Sequence, residues 1–121
     1  MKILLVDDSN SMRRIQKKLL AQLGETDIVE AADGVLALKE LQTVGQVDLI
    51  LTDWNMPNMD GISFVREVRA NDDWKAIPII MVTTEGEKSR ILEAAQAGVN
   101  NYLTKPFTPD LLAKKIAAVT M

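Results

Sequence analysis

Cysteine is absent from the 121 residues, which excludes disulfides and thiolate chemistry. Histidine is absent too, and with it go the commonest general base, the usual zinc ligand and a phosphohistidine carrier. No run of eighteen or more apolar residues occurs, and the start MKILLVDD meets paired acids after only four apolar positions. Neither a membrane span nor a signal peptide is expected. Positive charge is not in excess: 14 Lys and Arg against 17 Asp and Glu give a net charge of -3, which argues against binding nucleic acid. A glycine-rich phosphate loop of the GxxxxGK type is also missing, so a nucleotide donor is not expected. These absences leave carboxylates, hydroxyls, lysine or a metal to carry any chemistry, and a chain managing without cysteine fits a reducing cytoplasm.

What is present is ordinary in bulk. With 47% hydrophobic and 26% charged residues, the chain suits a single globular domain over residues 1–121. Lys2 to Val6 is a short continuous apolar run, as expected of a strand covered on both faces. After Asp7 and Asp8, one of Ser9, Asn10 or Ser11 can cap a helix in which Met12, Ile15, Leu19 and Leu23 recur at helical spacing until Gly24. Thr26 to Ala31 alternates as an edge strand does. Asp33 and Gly34 open a second helix carrying Val35, Leu38 and Leu41, and Gly45 breaks it. Val47 to Thr52 is a third strand, and Asp60 caps a third helix with Ile62, Val65 and Val68 on one face. Pro78 to Thr83 is a fourth strand with its proline at the start. Glu87 to Ala97 reads as a helix stopped by Gly98, Asn101 to Thr104 as a strand, and Thr108 with Pro109 as the cap and first turn of a helix carrying Leu112, Ile116 and Val119. Five strands alternating with five helices across short links predict an α/β fold with a doubly wound parallel sheet and right-handed crossovers.

Ligands of such sheets bind beyond the carboxyl ends of the strands. Asp7 and Asp8 end the first strand, Asp53 the third, Thr83 the fourth and Lys105 the fifth, so a parallel sheet brings them to one edge. Each has a plainer reading on its own. Asp53 can be a turn residue, Asp7 and Asp8 helix-capping acids, Thr83 a β-branched strand residue, Tyr102 an edge-strand aromatic and Lys105 a solvated loop lysine. Together they are far more specific. Three neighbouring carboxylates call for a retained proton or a bound cation, and an all-oxygen donor set suits a hard cation, magnesium above all. An aspartate, a metal, a hydroxyl and a lysine make a phosphoryl-binding site whose carboxylate can attack phosphorus in line.

The paired acids in LLVDDS, Asp53 in LTDWNMPNMDG, Thr83 in IIMVTTE and Lys105-Pro106 in YLTKPF resemble the receiver domains of two-component response regulators. The resemblance covers essentially the whole chain and runs closest to the single-domain chemotaxis regulators of the CheY kind. It implies a (βα)5 fold with flavodoxin-like strand order 2-1-3-4-5. It implies that Asp53 accepts a phosphoryl group from a phosphohistidine on a CheA-like sensor histidine kinase, or from a small donor such as acetyl phosphate. Magnesium would be held by Asp8, Asp53 and the backbone carbonyl of Asn55, with Asp7 acting through water. Lys105 would hold a phosphoryl oxygen, Thr83 would swing toward it, and Tyr102 would turn inward, while Pro106 would follow a cis peptide bond. Lys88, Ile91, Tyr102 and Lys115 would receive a flagellar motor switch protein or another downstream target on the face made by the fourth helix, fifth strand and fifth helix. Asn55 and Glu85 would flank the site and tune hydrolysis. The implied protein is a monomer that catalyses its own phosphorylation and dephosphorylation, with no attached output domain.

Other readings stay open at this point. Lys88, Ile91 and Lys115 can equally be a solvated helix face, and the basic first helix with Arg13, Arg14, Lys17 and Lys18 can meet an acidic kinase domain or simply face water. The same chemistry serves a phosphorelay carrier that passes the group to another histidine domain. A magnesium-dependent phosphohydrolase is the different-class reading, against which stands the amide at Asn55 where such enzymes place a second acid. A scaffolding role leaves the buried acids unexplained.

Overall fold

The computed structural model describes residues 1–84 and 86–120. Its elements run β1 (Lys2–Val6), α1 (Asn10–Gln22), β2 (Asp27–Ala31), α2 (Gly34–Thr43), β3 (Leu49–Thr52), α3 (Gly61–Ala70), β4 (Ile79–Thr83), α4 (Lys88–Ala97), β5 (Asn101–Thr104) and α5 (Pro109–Thr120). All neighbouring strands are parallel, and the sheet order is β2-β1-β3-β4-β5. No helix among the described residues is long and apolar enough to cross a membrane.

The continuous apolar runs serve two cores at once, because successive strand residues point to opposite faces. Leu4, Val6, Ile50, Ile79 and Met81 pack with Phe64, Val65 and Val68 of α3 and Leu41 of α2. Ile3, Leu5, Leu49, Leu51, Ile80 and Val82 pack instead with Leu20 of α1 and Leu112 and Ile116 of α5. Edge strand β2 is the least buried of the first four, which is what its alternating sequence predicts.

The helix starts follow their caps. Ser9 caps α1 by accepting from the Met12 N–H, Asp33 caps α2 through Leu36, and Asp60 caps α3 through Ser63. Two details differ from the expectations. Ile15 is 51% exposed while Gln16 and Leu20 are buried, so α1 is turned about one residue from its most apolar stripe. Val35 is exposed as well, whereas Leu41 is buried and Leu38 packs half-buried against the core as expected, with Gly34 and Ala37 buried beside them. Strands β3 and β4 also begin later than their apolar runs. The Asp48 carboxylate takes the Lys2 N–H and so ends the ladder there, and Pro78 contributes only its carbonyl, to Ile50.

Candidate functional site

The register of the sheet decides which side chains meet. Val6 pairs with Ala31 on one side and Thr52 on the other, and Thr83 pairs with Thr104. The ladder then runs one residue further: Asp7 donates its N–H to Ala31, Asp53 to Val6 and Lys105 to Thr83. Each of these three residues is thereby held by its backbone at the carboxyl edge of the sheet.

Asp7, Asp8 and Asp53 each offer an oxygen within 4.8 Å of the others. Asp7 is 2% exposed, Asp8 is open to solvent and Asp53 lies between. Lys105 sits two strands from Asp53, about 10 Å at the usual strand spacing, and only a long stem reaches back across that distance. Its ammonium lies 2.8 Å from an Asp7 oxygen and 3.0 Å from an Asp53 oxygen. The plain reading of Lys105 as a solvated loop residue fails here, since its side chain is 9% exposed. Burial works against its charge, but the hydrogen bonds to Asp7 and Asp53 outweigh that and raise its pKa above the ordinary lysine value. The second oxygen of each acid is also engaged: Asp7 accepts from Ser9 N–H at 2.9 Å and Asp53 from Trp54 N–H at 2.6 Å.

Three carboxylates against one ammonium leave two negative charges at the site, and every donor is oxygen. That donor set fits a divalent hard cation such as magnesium. The free edge of the cluster is Asp8 and the partly exposed Asp53, which is where a cation or an anionic substrate can enter.

Along this edge the chain matches the family model for the response regulator receiver domain over residues 3–117. The chain is a response regulator receiver domain. Its relatives agree. The receiver is 52% identical to the chemotaxis protein CheY of Pseudomonas aeruginosa over 119 residues, covering 98% of this chain and 95% of that one. It superposes on the crystal structure of the Vibrio cholerae chemotaxis protein CheY4 with a TM-score of 0.89 at 39% identity, covering 98% and 97% of the two chains. It also matches the receiver domain of the sensor histidine kinase PA1611 from Pseudomonas aeruginosa, a structure with magnesium coordinated in the active-site cleft, with a TM-score of 0.88 at 32% identity and coverage of 98% and 96%.

The remaining residues singled out in the sequence fall as follows. Thr83 is fully buried at the end of β4. The Lys105–Pro106 peptide bond is cis. Asn55 is exposed on the β3–α3 loop, and Glu85 lies outside the described residues. On the α4–β5–α5 face Lys88 and Ile91 are exposed, Lys115 is half-buried, and Tyr102 is half-buried against the core on the α3 side. The basic helix is not wholly free. Arg13 and Lys17 both pair with Glu30 of β2, and Arg13 also donates to the Asp7 carbonyl, while Arg14 and Lys18 are exposed and outside the ion pairs of the described residues.

Two contacts at the site had no sequence signal strong enough to find them. Arg90 on α4 stacks over the Trp54 ring at 4.9 Å, joining the residue after Asp53 to the helix beside it. The loop bearing Asn55 is docked on the start of α2, through Asp33 and Asn58.

Proposed function

We propose that the receiver is the phosphoacceptor of a two-component system in which Asp53 takes a phosphoryl group from a phosphohistidine of a CheA-like sensor histidine kinase. The observation that carries this reading is the Lys105 ammonium bridging Asp7 and Asp53 beside an otherwise uncompensated acidic edge. One Asp53 oxygen attacks phosphorus, the new O–P bond forms as the N–P bond of the phosphohistidine breaks, and the imidazole leaves with the bonding pair. Trp54 N–H steadies the carboxylate during attack. Lys105 exchanges its carboxylate contact on Asp53 for a phosphoryl oxygen. Asp8, Asp53 and the Asn55 carbonyl, with Asp7 through water, would hold magnesium, which would supply positive charge against the phosphoryl oxygens. Water attack on phosphorus later returns Asp53 and inorganic phosphate.

The acyl phosphate then acts through Thr83 and Tyr102 on the α4–β5–α5 face, where Lys88, Ile91, Tyr102 and Lys115 meet a target. Relatives named as chemotaxis proteins favour a flagellar motor switch protein as that target, and the setting is cytoplasmic. The test is labelling with radioactive acetyl phosphate. Acid-labile, magnesium-dependent label is expected on the wild type and none on Asp53→Asn. Label that survives the substitution sinks the reading.

A further inference from the structure

The segment between Asp53 and Gly61 carries the Asn55 carbonyl, and it is a loop with no regular structure of its own. It is closed at its base, where Gly61 N–H meets the Trp54 carbonyl at 2.7 Å. Its tip is tied elsewhere. Asn58 adopts φ 66°, in the left-handed region where asparagine is enriched, and its amide donates to Asp33 Oδ2 at 2.8 Å. Beside it the Gly34 N–H reaches the Met59 carbonyl at 3.3 Å. A Cβ on Gly34 would come within 2.9 Å of the Met59 Cβ, so the tip and the start of α2 fit against each other without slack.

Asp33 is the key to this contact. It is 5% exposed, and its two oxygens have separate tasks: Oδ1 caps α2 through the Leu36 N–H at 2.9 Å, and Oδ2 holds Asn58. A helix cap needs only one oxygen, which serine supplies. The second oxygen serves the loop.

We propose that Asp33 and Asn58 are positioning residues for the cation site, fixing the loop that carries the Asn55 carbonyl before the ion arrives. A loop ordered in advance leaves less conformational freedom to be lost on binding, so the ion binds more tightly. This rests on the reading of Asn55 as a ligand. Neither positioning residue touches the ion.

The experiment is magnesium titration of the full chain by tryptophan fluorescence and by calorimetry, alongside thermal unfolding in EDTA. Asn58→Gly keeps the left-handed backbone at no cost and removes only the amide. Asp33→Ser keeps the cap and removes the second oxygen. Each is expected to weaken magnesium binding by about three- to tenfold, below the 10–100-fold typical of groups bonded directly to a metal ligand. The double variant is expected to bind no more weakly than either single one, because both break the same contact. Asp33→Asn, whose amide can cap through oxygen and bond the Asn58 side-chain oxygen through nitrogen, is expected to restore affinity to about that of the wild type. Gly34→Ala is expected to weaken binding although alanine is the better helix former. A purely structural role would lower the unfolding temperature in EDTA and leave magnesium affinity unmoved, and that result in Asn58→Gly and Asp33→Ser overturns the proposal. A wild type that binds no magnesium overturns instead the cation-site reading beneath it.

Discussion

Replacing Lys105 by Met keeps the length of the side chain and removes its charge from between Asp7 and Asp53. The Lys105 side chain is 9% exposed and that of Asp7 2%, so the change strands acids that water reaches poorly. Removing one partner of a buried ion pair costs about 3–5 kcal/mol. Here the lower end applies, about 3 kcal/mol, because Asp7 keeps the Ser9 N–H and Asp53 keeps the Trp54 N–H and borders solvent. At roughly 4 °C per kcal/mol for a domain of this size, Tm in EDTA falls by about 12 °C. Magnesium should reverse part of this. The variant site holds three acids with no lysine, and one unit charge a few Å away is worth several kcal/mol to a divalent ion even at an effective dielectric of about 20. Binding about tenfold tighter recovers about 1.4 kcal/mol at saturation, which narrows the difference to about 6 °C. The pH profile adds a second check. The lysine pKa is raised above 10.5, so its contribution is complete below that pH and is lost only as pH climbs through the raised value. Thermal melts of both proteins, in EDTA and in saturating magnesium chloride, measure the effect. A difference that is the same or wider in magnesium refutes the reasoning.

Gly61→Ala would bring a Cβ to 2.1 Å from the Asp53 carbonyl oxygen and 3.0 Å from the Trp54 Cα, both backbone atoms that no rotamer change can move. We expect a loss of about 3 kcal/mol or more by urea unfolding, and an unchanged midpoint would show that the loop base gives way freely. The Asp33 carboxyl is held below its ordinary value of 3.8 by the Leu36 N–H and then by the Asn58 amide. Its contribution to stability is therefore present above that value and lost as pH falls through the lowered one. Asn58→Gly should cost about 1 kcal/mol near neutral pH, with the difference shrinking in strong acid. Acid melts followed by circular dichroism would contradict this by showing a constant difference throughout.

The elements were legible because their signals are local. Apolar runs broken by Asp7, Asp53, Thr83 and Lys105 mark the strand ends, and the parallel order then carries those residues to one edge. Helix rotation was less legible. Ile15 and Val35 follow the helical spacing yet lie exposed, since spacing tells that a helix has an apolar stripe and not how the packed helix turns it. Gln16 is buried on α1 although the apolar spacing named Ile15 beside it. The Asp33–Asn58 bond links residues 25 apart on different elements, and Arg90 meets Trp54 from another helix altogether.

The sequence by itself determined the succession of strands and helices, the caps that start the helices and the acids, hydroxyl and lysine at the strand ends, because each depends on neighbours a few residues away. Only the tertiary structure decided that Lys105 is a buried counter-ion to Asp7 and Asp53, that Arg13 and Lys17 are held by Glu30, and that α2 holds the Asn55 loop. Charge pairing depends on which strands become neighbours and on how far a side chain reaches across them. Those distances exist only once the sheet has closed its register.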